Sequence, residues 1–540
     1  MSSAMWPTRP APAEEAALYR RAGCWRDEDL GSYLQWAARE FGEKVAVVDR
    51  ARRVTFAEVA AQVEQVAAAL AARGVGPGDV VSFQLPNWLE AIVVFHAAAR
   101  LGAVANPIVP IYRAHELRFI LRQARSKLVV VPGRFRGFDY AQLYQELAPE
   151  LPDLRSVVVV GDGAGERQEP WEGLLGERGG PAEPAAVDAD QVLLLLYTSG
   201  TTAEPKGALH SHNTLVYDAH STAAWFGLDD RDIVLMPSPL THVTGVLCGI
   251  TLPFLTGAAV VLQDVWDPVR ALELITAEGA TFTLFATPFL ATLLDAARDT
   301  GTATPSLRYI GCGGADIPAE LMQAATDRLG WAVRMYGATE APSTTCTTML
   351  DSMEARTATD GRWMPPTEGR ILDDEGREMP PGTQGEIVWR GPDMFLGYLD
   401  PTLNDDAFTP DGFFRTGDLG VMDAAGYLTV RGRIKDVINR SGEKFSAHEI
   451  EGLLYSHPAV SEVAVVGLPD ARTGERACAF VVCRPGSTLG LPDLDEFLTG
   501  RAVARQKIPE QLVLVDELPK TASGKIQKFV LRERGMEVAR

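Results

Sequence analysis

Residues 197–207 read YTSGTTAEPKG: the hydroxyls of Thr198, Ser199, Thr201 and Thr202 surround Gly200, with Lys206 and Gly207 behind them. Backbone N–H groups, hydroxyls and one ammonium can all face an anion together, so this is the composition of a phosphate-holding loop. The apolar run at 192–196 reads as a buried strand, which puts the loop at a strand end, the usual place for a nucleotide site. A Walker A loop is excluded, because it needs G-x-x-x-x-G-K-[ST], and here Pro205 precedes Lys206 and Gly207. Taken alone, the segment also reads as a Ser/Thr-rich surface turn.

Four more segments bear on that choice: MYGATE at 335–340, FFRTGDLG at 413–420, RGRIKDVINRSG at 431–442 and LPKTASGKIQK at 518–528. In this order and at these separations the chain resembles the adenylate-forming superfamily of acyl-CoA ligases, luciferases and peptide-synthetase adenylation domains, over nearly its whole length. The resemblance implies an α/β chain in two parts. Residues 1–433 form a large N-terminal domain of several subdomains with mostly parallel sheets, holding the acid and ATP sites. Residues 434–540 form a smaller, mobile α+β domain, hinged at Lys435.

The resemblance also implies roles. Lys525, in S-G-K, bridges the carboxylate and the α-phosphate. Its cation is needed because two anions about 4 Å apart at an effective dielectric near 20 repel by about 4 kcal/mol. Glu340 holds Mg²⁺ with Thr201, and Thr339 offers its hydroxyl to the α-phosphate. Thr198, Ser199, Gly200, Thr201, Thr202 and Lys206 hold the phosphates. Tyr336 stacks on adenine, Gly337 belongs to the same nucleotide site, and the Gly313-Gly314-Ala315 backbone borders the purine, since residues without bulk permit close approach. Asp418 accepts the ribose hydroxyls and Arg433 adds a planar donor fork. His242, in PSPLTHVTG, lies between acid and nucleotide. For the second half-reaction the C-terminal domain turns and brings Ser441 and Gly442 to the CoA channel. Each residue also has an ordinary reading: a solvated lysine, a core aromatic, a turn aspartate, a satisfied histidine. The pair His210-x-His212 could put two imidazoles on one strand face, but no third zinc ligand accompanies it.

Three positions depart from the family pattern. Ala203 replaces the glycine of T-T-G-x-P-K-G; a left-handed conformation there costs roughly 1–2 kcal/mol, whereas a β or right-handed one makes alanine harmless. Ala447 stands where many relatives have proline, and Trp363 where G-R-P is common. The expected function is an acyl-CoA ligase using ATP, Mg²⁺ and coenzyme A. The alternatives are an enzyme that only makes thioesters from a supplied acyl adenylate, and one that loads a carrier-protein thiol. Thr241, Gly245, Gly249, Ala338, Ala341 and Ser343 are mostly small, which predicts a roomy pocket for a branched or cyclic acid.

The elements that must position these residues are legible in outline. Strands are predicted at 45–48, 80–85, 103–109, 128–131 and 157–160, alternating with helices. Thr55-x-x-Glu58 opens one helix as a capping box, with Phe56, Val59, Val63, Val66 and Leu70 on one face and Gly74 at its end. The Gly-, Pro- and Glu-rich stretch 161–186 reads as an exposed connection. In the tail, 463–466 and 479–482 read as strands and 494–498 starts a helix.

Length and composition agree. A chain of 540 residues exceeds one core, and its 51 basic against 71 acidic residues, a net charge of −20, argue against nucleic acid or an anionic membrane as partner. The six cysteines show no C-x-x-C pair, and the start lacks an apolar core of signal-peptide length, which together predict a cytoplasmic protein. A homodimer is a separate expectation. Residues 233–263 carry no charged side chain. Pro237, Pro239, Pro253 and Gly257 nevertheless divide them into strand and helix lengths, predicting a buried core segment, not a membrane span.

Overall fold

The computed structural model describes residues 6–176, 187–198, 205–314, 317–440, 443–470, 472–501, 503–521 and 525–538. Two large sheets built from alternating strands and helices carry most of the chain. The first has nine strands, running from Arg362–Trp363 through Ala341–Cys346, Trp331–Ala338, Tyr309–Gly313, Phe282–Phe285, Ile233–Met236, Ala259–Leu262 and Val45–Asp49 to Arg52–Thr55. Its central pairings are parallel and its edges antiparallel. The second has seven strands, from Lys206–Ser211 through Val192–Thr198, Val104–Pro107, Val80–Phe83, Leu128–Pro132 and Ser156–Val160 to Glu169–Pro170, parallel except for its first pair. Strands such as Leu128–Pro132 are buried along their length, as the apolar runs of a parallel sheet require.

The expected capping box is present: Glu58 accepts from the Thr55 N–H at 2.8 Å, and Thr55 Oγ1 accepts from the Glu58 N–H at 3.3 Å. The helix runs Phe56–Ala72, buries the predicted face, and stops before Gly74 at φ +78°. The uncharged stretch 233–263 folds as strand Ile233–Met236, helical turns from Val243 to Thr256 and strand Ala259–Leu262. No described helix is long and apolar enough to cross a membrane.

One expectation is corrected. The stretch 161–186 is not simply an exposed connection. Glu169–Pro170 joins the edge of the seven-stranded sheet, and the helix Trp171–Gly176 buries Trp171 and Leu174 in the main core. Two apolar residues amid polar ones were the signal. Residues 177–186 lie outside the described part.

A third, antiparallel sheet orders Glu368–Leu372, Gln384–Arg390, Phe414–Met422 and Leu428–Arg433. Trp363, for which the sequence offered no role, joins it to the first sheet: its ring covers Gly369 so closely that a β-carbon there would lie 1.9 Å away. After Arg433 a single 3₁₀ turn, Ile434–Asp436, leads into a separate sheet. That sheet orders Glu443–Ser446, Val437–Arg440, Gly474–Cys483 and Val460–Asp470, with Gln511–Leu514 parallel to Gly474–Cys483. The two parts touch where Ser446 Oγ donates to the Arg431 carbonyl at 2.6 Å. Gly432, at φ +118°, has no space for a β-carbon beside Ser446 and His448. Ala447 begins the helix Ala447–Tyr455, a first-turn position that suits proline and alanine alike.

Replacing Trp171 by alanine removes the anchor of the 161–176 segment, at about 3–5 kcal/mol of local stability. The expected result is faster limited proteolysis within 161–186 while the rest of the chain stays resistant.

Candidate active site

The strand Val192–Thr198 ends at Thr198, and its antiparallel partner begins at Lys206, paired directly with Thr198. Ser199, Gly200, Thr201, Thr202 and Ala203 of the intervening loop lie outside the described residues. The returning strand is covered by the segment 396–399, where Leu396 N donates to Leu209 O at 2.7 Å and Leu399 N to Gly207 O at 2.7 Å. This register lays Tyr398 opposite Ala208, with the Lys206 ammonium 5.2 Å from its ring centre.

Tyr398 then reaches the Thr339–Glu340 turn: its hydroxyl donates to Glu340 Oε1 at 2.6 Å. The Glu340 carbonyl accepts from Phe395 N at 2.7 Å. From the other side His210 Nε2 lies 2.7 Å from the Thr339 carbonyl. Burial holds His210 down to about pKa 4, so the ring is neutral and Nε2–H is the donor. The two histidines do not share a strand face. His210 ends in this contact, while His212 opens the next helix and its Nδ1 accepts from Leu30 N at 3.0 Å. Sequence reasoning missed Tyr398 and Phe395 altogether, and weighed His210 only for zinc.

Asp418 lies between three elements. It pairs with Arg433 across the third sheet, and Arg433 Nε is 2.9 Å from its Oδ1. Tyr336, from the first sheet, donates its hydroxyl to Oδ2 at 2.7 Å. The Arg433 contact lacks hydrogen-bond geometry, so Oδ1 is buried with no bonded donor among the described residues. One oxygen is committed, and the other, beside the Arg433 guanidinium, keeps an open acceptor site. Burial, and then Asp418, push the Tyr336 hydroxyl well above its ordinary range, so it stays a donor. Its ring meets Trp389 edge to face at 5.4 Å.

The residues on either side of Tyr336 belong to the wall of a cleft, lined among others by His242, Thr244, Gly313, Gly314, Met335, Thr339 and Lys525. Gly337 and Ala338 are also in its wall. Gly314 has φ +78°, and a β-carbon on it would sit 3.6 Å from Lys525 Cε. Gly313 also answers to a packing demand. Its β-carbon would meet the Met335 carbonyl at 2.6 Å, so the strand neighbour demands it. Gly337 likewise has the Pro342 carbonyl at 2.0 Å. Ala315 lies outside the described residues.

His242 caps the turn that follows, its Nδ1 accepting from Thr244 N at 3.4 Å. Burial, and then the neighbouring Lys525 ammonium, hold it down to about pKa 3. It is neutral, with Nε2–H left as a donor. Lys525 is lowered from the ordinary lysine range by burial and by Arg433, against Asp418 and Glu340, which raise it. Two cations are thus held near each other in a partly dry site, an arrangement that an anion stabilises.

The small residues do not all make space. A β-carbon on Gly245 would lie 2.0 Å from the Pro239 carbonyl, and one on Gly249 would lie 2.4 Å from the Leu240 side chain. Ala341 is buried in the core around Trp389. Of the six residues read as a roomy pocket, these three serve packing, and the inference of a bulky acid loses that support. Lys435 sits in the turn 434–436, and Ser441 and Gly442 lie outside the described residues.

The AMP-binding enzyme model matches residues 34–399, and that of the AMP-binding enzyme C-terminal domain matches 449–525. The chain belongs to the adenylate-forming family, on its acyl-CoA ligase branch. Among its relatives is the medium-chain fatty-acid–CoA ligase of Escherichia coli K12, 35% identical over 96% of this chain and 93% of that one. Another is the salicylyl-CoA synthase / salicylate adenylyltransferase of a Streptomyces species, 36% identical over 97% of both. The crystal structure of the anthranilate CoA ligase AuaEII with anthranoyl-AMP superposes with a TM-score of 0.87 at 26% identity, over 95% of this chain and 98% of that one. Of the motif positions described here, Gly337, Ala338, Thr339 and Lys525 share one cleft, and Tyr336, Glu340 and Asp418 are bonded beside it.

Replacing Asp418 by alanine is expected to weaken ATP and a matching acyl adenylate alike, by about 1.5–3 kcal/mol, because both carry the same ribose. CoA binding should persist. Titration calorimetry with each ligand checks this, and unchanged nucleotide affinity would reduce Asp418 to a structural pair for Arg433.

Proposed function

We propose that the protein condenses a carboxylic acid with ATP to an acyl adenylate, releasing pyrophosphate, and then passes the acyl group to the thiol of CoA, releasing AMP. The observation that carries this reading is the position of Lys525, which shares the cleft wall with His242 and lies close enough to Arg433, Asp418 and Glu340 to feel their charges. An acid carboxylate beside His242 and an α-phosphate beside the Asp418–Arg433–Tyr336 hub would both face that one ammonium. There it offsets the repulsion of about 4 kcal/mol between them.

In the first step a carboxylate oxygen attacks the α-phosphorus and the bond to pyrophosphate breaks. Asp418 Oδ1 accepts from the ribose, Arg433 adds a second cation, and neutral His242 donates from Nε2 toward the acid. The hard carboxylate of Glu340 fits Mg²⁺, with Oε2 the open ligand because Oε1 is held by Tyr398, while Thr339 would offer its hydroxyl to the α-phosphate. When bound, the ion neutralises phosphate charge. In the second step the CoA sulfur attacks the acyl carbon, the acyl–oxygen bond breaks, and the thiol proton passes to solvent. A turn of residues 434–540 about Lys435 would withdraw Lys525 and admit Ser441 and Gly442.

A second reading ends at the adenylate or hands it to a carrier-protein thiol, and the adenylyltransferase activity in the name of the Streptomyces relative favours keeping it. A panel of acids supplied with ATP, with and without CoA and with products identified by mass, separates the two. Acyl-CoA appearing only with CoA supports the ligase. Acyl-AMP that accumulates whether or not CoA is present supports the alternative.

Two outcomes test the role of Lys525. Lys525→Ala should lose acyl-AMP formation by orders of magnitude yet keep thioester formation from a supplied adenylate; equal loss in both would defeat the two-step assignment. Because the folded site lowers the lysine's pKa, adenylation should fall as pH rises through a value below the model-peptide figure of about 10.4. The pH profile of pyrophosphate exchange reads this, and Lys525→Arg should remove that alkaline limb.

A further inference from the structure

The helix His212–Phe226 buries a carboxyl group that the reaction above leaves unused. Asp218 on that helix and Asp393, in the turn after the strand Gln384–Arg390, are each 1% exposed. None of their four carboxyl oxygens has a hydrogen-bond partner among the described residues. The other buried acids are treated differently. Asp360 has Arg334 at 2.9 Å and Asp49 has Arg50 at 2.9 Å. Among the described residues no lysine, arginine or histidine stands among the groups that act on Asp218 or Asp393. Ser343 faces both, its hydroxyl toward Asp218 and its N–H toward Asp393, without hydrogen-bond geometry to either.

Burial pushes Asp393 up to about pKa 7 and Asp218 well above the carboxylate range, the latter with help from Asp393. Such a pair relaxes when a donor enters between its oxygens. A metal ion would want further ligands, and no group of three or more His, Cys, Asp or Glu among the described residues could hold one.

Two walls of the active-site cleft lead to the pair. Thr244 lines the cleft, and Cys248, about one helical turn further on, lies close enough to Asp218 to feel its charge. Pro342 lines the cleft, and Ser343 follows it in the strand. The acids therefore stand behind these two stretches of wall, within reach of Cys248 and Ser343.

We propose that Asp218 and Asp393 form the distal end of the acid pocket and bind a hydrogen-bond donor, an amino or hydroxyl group, carried by the acyl chain away from its carboxylate. This rests on the acid-activating reading above. An amine supplies a counter-charge as well as hydrogen bonds, and a hydroxyl supplies the bond alone, so the amine should be preferred.

The test uses hexanoic, octanoic and decanoic acids, each beside its ω-amino and ω-hydroxy form, and phenylacetic acid beside its para-amino form. Calorimetry measures binding and pyrophosphate exchange measures activation. At the length that spans the pocket, the wild type should favour the donor-bearing acid over its parent by roughly a hundredfold or more, because a polar site left unpaired rejects the analogue lacking the group. Asp218→Leu should reverse the order, the parent gaining and the amine losing. Asp218→Asn and Asp393→Asn, which keep the shape, should narrow the preference for amine over hydroxyl. Equal handling of parent and donor-bearing acids at every length overturns the proposal, as does a preference that survives in Asp218→Leu. Donor acids that bind without exchange would leave this site standing and remove the adenylation reading. Exchange with the parent acids alone would do the opposite.

Discussion

Most of the site depends on how a single carboxylate is shared. Asp418 faces Arg433 in the ladder, accepts from Tyr336 across the gap between two sheets, and keeps one buried oxygen unbonded. The sharing is set by register, since a one-residue slip between Phe414–Met422 and Leu428–Arg433 would turn either side chain to the opposite face. A bulge between Leu419 and Gly420 lies one residue from Asp418. Gly420 itself is pressed against Ile387, where a β-carbon would lie 2.7 Å away. The hub is thus fixed by backbone geometry before any ligand arrives, which is the form of preorganisation that acts without reorganisation at the moment of reaction.

The second constraint is a tether. The segment 396–399 runs along the strand that leaves the hydroxyl-rich loop and hands its tyrosine to Glu340, while His210 holds the preceding carbonyl. One strand therefore sets both Lys206, at the loop's exit, and the Thr339–Glu340 turn. The strand and the Thr339–Glu340 turn are linked through two buried neutral donors, a phenol and an imidazole, and neither depends on charge in the physiological range.

What could be read from the residues follows from the range of each signal. Strands and the capped helix were legible because apolar runs and the Thr55–Glu58 box are local, and their bounds shifted by only a few residues. Asp418, Arg433, Tyr336 and Lys525 were legible only as members of motifs. The contacts among them come from three different parts of the chain. Tyr398 was invisible because Gly397-Tyr398-Leu399 looks like any turn until it is laid against 207–209. The small residues misled for a related reason. Composition reports a missing side chain but not which neighbour occupies its place, and for Gly245 and Gly313 that neighbour is a backbone carbonyl.

Gly245 and Gly249 also limit how such an enzyme can change its diet. Any side chain at either position would collide with the Pro239–Leu240 turn, which carries His242, before it reached the substrate. Divergence toward new acids is then channelled to positions whose side chains face the cleft or lie just beyond its wall, such as Thr244 and Ser343. A lineage could exchange these one at a time while the activating chemistry is inherited unchanged.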